Sequence, residues 1–154
     1  MNGRVFQCYE EHTDRAQYTK TLEQLRIHVK KTMQYLEDLA PLFALEMAEP
    51  ALTMPDEPEE GATKTQELFY SEKLKRYMRH EDTLVGNLAA LHAITWGQCS
   101  EAMKTKLRSL DNYQERAEAN DCFWLLQKIR GVTLELDAKR HKTTSLADRS
   151  EDVV

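Results

Sequence analysis

The sequence predicts an all-α protein: a helical bundle with one long N-terminal amphipathic helix, an acidic proline-rich linker and a C-terminal multi-helix block. Three observations carry this. Leu22, Leu25, Val29, Thr32, Leu36, Leu39 and Phe43 recur at alternating steps of three and four, the spacing that lines one face of an α-helix. No run alternates apolar and polar residues with the period of two that a half-buried strand requires. All four prolines, Pro41, Pro50, Pro55 and Pro58, fall in one short stretch, and none interrupts the chain after it.

Taken in order, residues 1–45 form the N-terminal helical segment. Its apolar stripe is near the lower length limit for a coiled coil, and Thr32 interrupts the seam. Two readings stay open: a helix packed on its own domain, or one that self-associates through Leu22, Leu25, Val29, Leu36, Leu39 and Phe43. The polar face mixes both signs of charge, which argues against a lipid surface. Residues 46–62 form the linker. Between Glu46 and Glu60 lie six acidic residues and no basic one, so this stretch is expected to be extended or disordered.

Residues 63–142 make the larger helical block. Thr63 and Gln66 have capping-box spacing, and no helix breaker follows until Gly86. Leu68, Leu74, Tyr77, Met78, Leu84, Leu88, Leu91 and Ile94 continue an apolar face. Gly86 is a point where this helix can bend or divide, and Gly97 is expected to end it in a left-handed conformation. Ser100 is placed to cap a short helix carrying Met103, Leu107 and Leu110. Asp111 or Asn112 is placed to cap the next, whose face carries Cys122, Leu125, Leu126, Ile129, Val132 and Leu136. Trp96 and Trp124 sit at helical spacing among Leu and Ile, so they are expected core anchors together with Leu107, Leu110, Leu125 and Ile129. Residues 143–154 are polar and expected to be disordered.

Size and composition exclude several classes. A chain of 154 residues suits one domain and buries roughly 70% of its unfolded surface. A net charge of −5 argues against a dedicated nucleic-acid-binding domain. No apolar run is long enough to span a membrane, and the N-terminus lacks the apolar core of a signal peptide. Cys8, Cys99 and Cys122 are odd in number and widely spaced, as expected for reduced thiols in a cytoplasmic protein.

Chemistry-bearing patterns are missing. No two of His12, His28, His80, His92 and His141 are three or four residues apart, so no helix face pairs them on a metal. The cysteines make neither a Cys-x-x-Cys pair nor a zinc-knuckle spacing, and the five glycines form no phosphate loop. Glu10–Glu11 and Glu59–Glu60 read as solvated charge rather than a catalytic pair. The expectation is a protein with no catalytic activity, cofactor, metal or small-molecule substrate. Three basic clusters stand out: Lys73 to His80, Lys104 to Arg108, and Lys139 to Lys142. Acidic neighbours Glu72, Glu81 and Asp82 offset the first. Lys139, Arg140 and Lys142 lead into the tail and are the candidates for RNA contact.

The run Trp96-Gly97-Gln98-Cys99-Ser100-Glu101, followed by Leu107, Leu110, Asp111-Asn112-Tyr113 and then Trp124-Leu125-Leu126-Gln127-Lys128-Ile129-Arg130-Gly131, holds both tryptophans. It reads as helix, short break, helix, with an aromatic anchor on each side. That arrangement resembles the capsid region of copia-type LTR-retrotransposon Gag proteins. In this resemblance Leu88-Ala89-Ala90-Leu91 with Ile94 and Trp96 is the first element, and Met103, Leu107 and Leu110 are the second. Ala117 or Ala119, with Trp124, Leu125 and Ile129, is the third. It spans roughly Leu84 to Lys142; the acidic linker has no counterpart in it, and the zinc knuckle that such Gag proteins commonly carry after the capsid region is not in this sequence. What the resemblance implies is an all-helical structural protein that self-associates around element RNA, its partner being further copies of itself. The competing reading is a cellular helical adaptor or coiled-coil interaction protein.

Overall fold

A computed structural model describes residues 3–8 and 15–135. Regular structure among them is helical, apart from one isolated β-bridge. The order is α1 (Arg15–Thr32), α2 (Leu36–Leu39), a 3-10 turn (Ala40–Phe43), α3 (Lys64–Gly97), α4 (Glu101–Arg108), α5 (Tyr113–Glu118) and α6, helical from 122 to the last described residue, 135.

The stripe from Leu22 to Phe43 is not one helix. α1 stops at Thr32, Tyr35 takes a left-handed φ of 53°, and the chain turns into α2 and the 3-10 turn. Each piece stays helical, so the three-and-four spacing runs across a break that periodicity cannot register. Pro41 lies at the start of the 3-10 turn, where its missing N–H leaves no donor unused. A cleft of about 340 Å³ lined by Val29, Lys30, Leu36 and Phe43 lies between α1 and the α2 turn.

Residues 44–59 have no helix or strand, yet they are held. Ala48 N–H donates to the Pro41 carbonyl (3.0 Å), Pro50 is buried, and Met47 and Leu52 pack against the core. The acidic linker is thus an extended strap. Leu25, Val29, Leu39 and Leu42 before it join Leu84, Leu91, Met103, Leu107, Leu126 and Ile129 after it in one cluster. The N-terminal segment and the larger block share a single core.

The Thr63–Gln66 capping box forms. Gln66 N–H donates to Thr63 Oγ1 (3.2 Å), and Thr63 N–H donates to Gln66 Oε1 (2.9 Å), which satisfies two donors the helix start leaves free. α3 then passes through Gly86 without a break. It ends at Gly97, but not in the left-handed conformation expected there, since Gly97 is not among the residues of positive φ. The N-terminal segment ends it instead. Phe6 N–H donates to the Gln98 carbonyl (2.7 Å), and Ser100 N–H donates to the Phe6 carbonyl (2.8 Å). This is the parallel bridge between Phe6 and Cys99.

The expected helix from Tyr113 through Leu136 is two helices. Asn120 closes α5 in a left-handed conformation, φ 52°, and Asp121 N–H reaches back to the Arg116 carbonyl (3.0 Å), so the last turn's carbonyls are satisfied. The Asp121 carboxylate then accepts from Trp124 N–H (3.0 Å) and starts α6. Cys122, Leu125, Leu126, Ile129, Val132 and Thr133 are buried along one face of α6, which makes it the central core helix. Leu136 and the tail 143–154 lie outside the described residues.

Candidate functional site

Three features distinguish this molecule from a plain helical bundle. The first is the aromatic junction at the end of α3. Trp96 lies 5.6 Å from Tyr113, ring centre to ring centre, and Tyr113 lies 6.4 Å from Trp124. Both pairs are tilted, an arrangement that suits the aromatic quadrupole. Lys104 Nζ and the Arg108 guanidinium approach the Trp96 ring at 5.7 and 5.3 Å. The sequence places them there: Ser100 caps α4 by accepting from Met103 N–H (3.1 Å), and one turn of α4 separates Lys104 from Arg108. The break between α3 and α4 is therefore braced from two sides, by aromatic rings and by the Phe6 bridge.

The segment around Phe6 is held in turn by α1. Gln17 Nε2 donates to the Val5 carbonyl (3.0 Å), Thr21 Oγ1 lies 3.4 Å from the same oxygen, and the Phe6 ring lies 5.8 Å from Tyr18. Burial pushes the thiol of Cys99, which pairs with Phe6 in the bridge, up to about 12, and burial at the start of α6 does the same for Cys122. Burial raises Cys8 as well, against the pull of Lys106. None of the three is an activated nucleophile.

The second feature fastens α2 to α3. His80 Nδ1 lies 2.6 Å from Asp38 Oδ2, with both side chains nearly enclosed, 12% and 11% exposed. The Tyr35 ring stacks on the imidazole at 3.7 Å, and Asn87 Nδ2 donates to the Gln34 carbonyl (3.0 Å). Glu37 brings a second carboxylate to the same place. Histidine–histidine spacing could not reveal this group, because its members come from elements 42 positions apart.

The third is an exposed apolar face. Before Leu84, α3 contributes no buried side chain, and Leu68, Phe69, Met78 and Val85 stand 55–65% exposed. Met78 and Val85 are seven residues apart and share a face.

The residues singled out by sequence fall unevenly on these features. Of the association seam, Leu25, Val29 and Leu39 lie in the chain's own core, 0–3% exposed, so they cannot meet another copy. Leu22 and Phe43 are partly buried against that core, and Leu36 alone is exposed, at 38%. The physical reason is that the seam packs inward, joining Leu84, Leu91, Met103, Leu107 and Ile129 in the chain's own core. Leu107, Trp124, Leu125 and Ile129 are buried, while Trp96 and Leu110 are partly buried at its edge. Phe6 and Leu42, both fully buried, carried no periodic signal that singled them out. Lys139, Arg140 and Lys142 lie outside the described residues. No helix among the described residues is long and apolar enough to cross a membrane. Compared with protein-family models, curated proteins and solved structures, the chain matches none.

Proposed function

We propose that this chain is a capsid-type structural protein of a copia-type LTR retrotransposon, one that self-associates around element RNA. The observation that supports this reading best is the order of elements around Trp96. The long helix α3 ends there, a braced break follows, the short α4 carries Met103 and Leu107 with Leu110 just beyond its end, and α6 brings Trp124, Leu125 and Ile129 into the same core. This is the element order of the Gag capsid region that the sequence resembles.

Self-association requires apolar surface left over after folding. With Leu25, Val29 and Leu39 consumed by the core, that surface includes Leu36 and the outward face of α3 at Met78 and Val85. Extended assembly needs a second, non-equivalent contact, since one symmetric interface closes at a dimer. Two separate exposed patches meet that requirement. For RNA, the described part of the chain offers Lys104, Lys106 and Arg108 on α4, with Lys106 and Arg108 exposed and Lys104 and Arg108 beside Trp96.

The same α3 face also suits a helix of another protein. The adaptor reading therefore survives as the alternative and implies a fixed small oligomer that purifies without RNA. Sequencing the genomic DNA beyond codon 154 separates the two. A zinc knuckle followed by protease, integrase and reverse transcriptase frames is the expected result; unrelated sequence after an expressed stop codon would favour the adaptor.

A further inference from the structure

The Glu37–Asp38–His80 group does more than hold α2 against α3. We infer that it is a binding site for a divalent transition-metal ion of the zinc class, with one imidazole nitrogen and two carboxylate oxygens as ligands. A ligand atom from each of the three residues lies within 4.8 Å of the other two. Tetrahedral coordination with bonds of about 2.0 Å puts ligand atoms about 3.3 Å apart. His80 Nδ1 and Asp38 Oδ2, at 2.6 Å, need to open slightly around an ion that takes the place of the proton between them. Glu37 is exposed and free to swing inward.

The surroundings suit such an ion. His80 and Asp38 are almost withdrawn from water, so a bound cation meets little dielectric screening there. Tyr35, stacked on the imidazole at 3.7 Å and 17° from parallel, fixes the ring's plane before an ion arrives. A cleft of about 400 Å³ opens beside the three side chains and has room for the water that completes a three-ligand site. The ligand set selects the metal. An imidazole nitrogen favours zinc-class ions, whereas calcium and magnesium take oxygen ligands alone. Lys73 and Arg76 line the same cleft and oppose a cation, which tunes the site toward weaker binding.

The test is calorimetric titration of the full chain with Zn2+ alone, repeated with Co2+ to read the visible bands of tetrahedral coordination. One ion per chain and tetrahedral cobalt bands are expected. Glu37→Gln is the decisive variant, because it leaves the His80–Asp38 bond in place and should not disturb folding. It should weaken Zn2+ binding about 10-fold, while Arg76→Gln, which removes an opposing charge, should tighten it. His80→Gln should abolish the site, with circular dichroism reporting whether the fold persists. If Zn2+ does not bind, or if binding is unchanged in Glu37→Gln and follows Cys8→Ser instead, the assignment is wrong, and the pair is only a latch between helices.

Discussion

Phe6 and Cys99 form a parallel β-bridge between distant segments of the chain, and Phe6 is 1% exposed. The backbone of Phe6 thereby bonds to both sides of the break between α3 and α4. Replacing Phe6 by Ala is expected to destabilise the fold by about 3–5 kcal/mol, the usual loss for a fully buried ring, measured by urea unfolding. A loss under about 1 kcal/mol would mean that the Phe6 ring contributes little to the core.

Leu25 and Leu36 lie on one apparent stripe in the sequence, but Leu25 is sealed in the core and Leu36 is 38% exposed. Leu25→Ala should cost about 2–5 kcal/mol because it opens a cavity in a closed core. Leu36→Glu should leave helicity by circular dichroism unchanged and lower self-association. Equal losses of folding in both variants would place Leu36 in the core and remove it from any interface.

The contrast between these two leucines marks how far the sequence could be read. The all-α class, the Thr63–Gln66 cap, the Ser100 cap and the buried face of α6 were legible because each depends on residues within a turn or two of one another. Four relationships escaped that reading. A left-handed Tyr35 leaves no periodic mark, so one stripe concealed two elements that fold against each other. The Asn120–Asp121 pair ends one helix and caps the next, a local signal that apolar periodicity passed over. The Phe6 bridge and the His80–Asp38 bond join distant segments, and no local pattern encodes them.

The thiols give a prediction for pH. In the folded protein, the values of about 12 for Cys99 and Cys122 leave, at pH 8, on the order of 1,000-fold less thiolate than an ordinary cysteine holds. Alkylation followed by mass mapping should therefore label Cys8 first, and Cys99 and Cys122 only on unfolding. Their folded pKa values exceed the ordinary 9.0, so the folded state binds protons more tightly. Their contribution to stability is complete below pH 9 and is lost as pH rises toward 12. Alanine at either position should flatten that alkaline loss.

The capping box at Thr63 should act locally. Its helix turn is exposed, and α3 buries nothing before Leu84. Thr63→Ala is expected to speed amide exchange in the first turns of α3 roughly 5-fold, equivalent to about 1 kcal/mol, with little change in the global unfolding midpoint. An equal loss in global stability would show that the start of α3 is coupled to the core.

Sedimentation velocity of the full chain over a wide concentration range, with and without the paired change Met78→Glu and Val85→Glu, tests the capsid reading most directly. Concentration-dependent species larger than a dimer are expected, with nucleic acid co-sedimenting and with their collapse in the double variant while helicity stays intact. A monomer or a single fixed oligomer at every concentration, unaffected by the two charges, would contradict it.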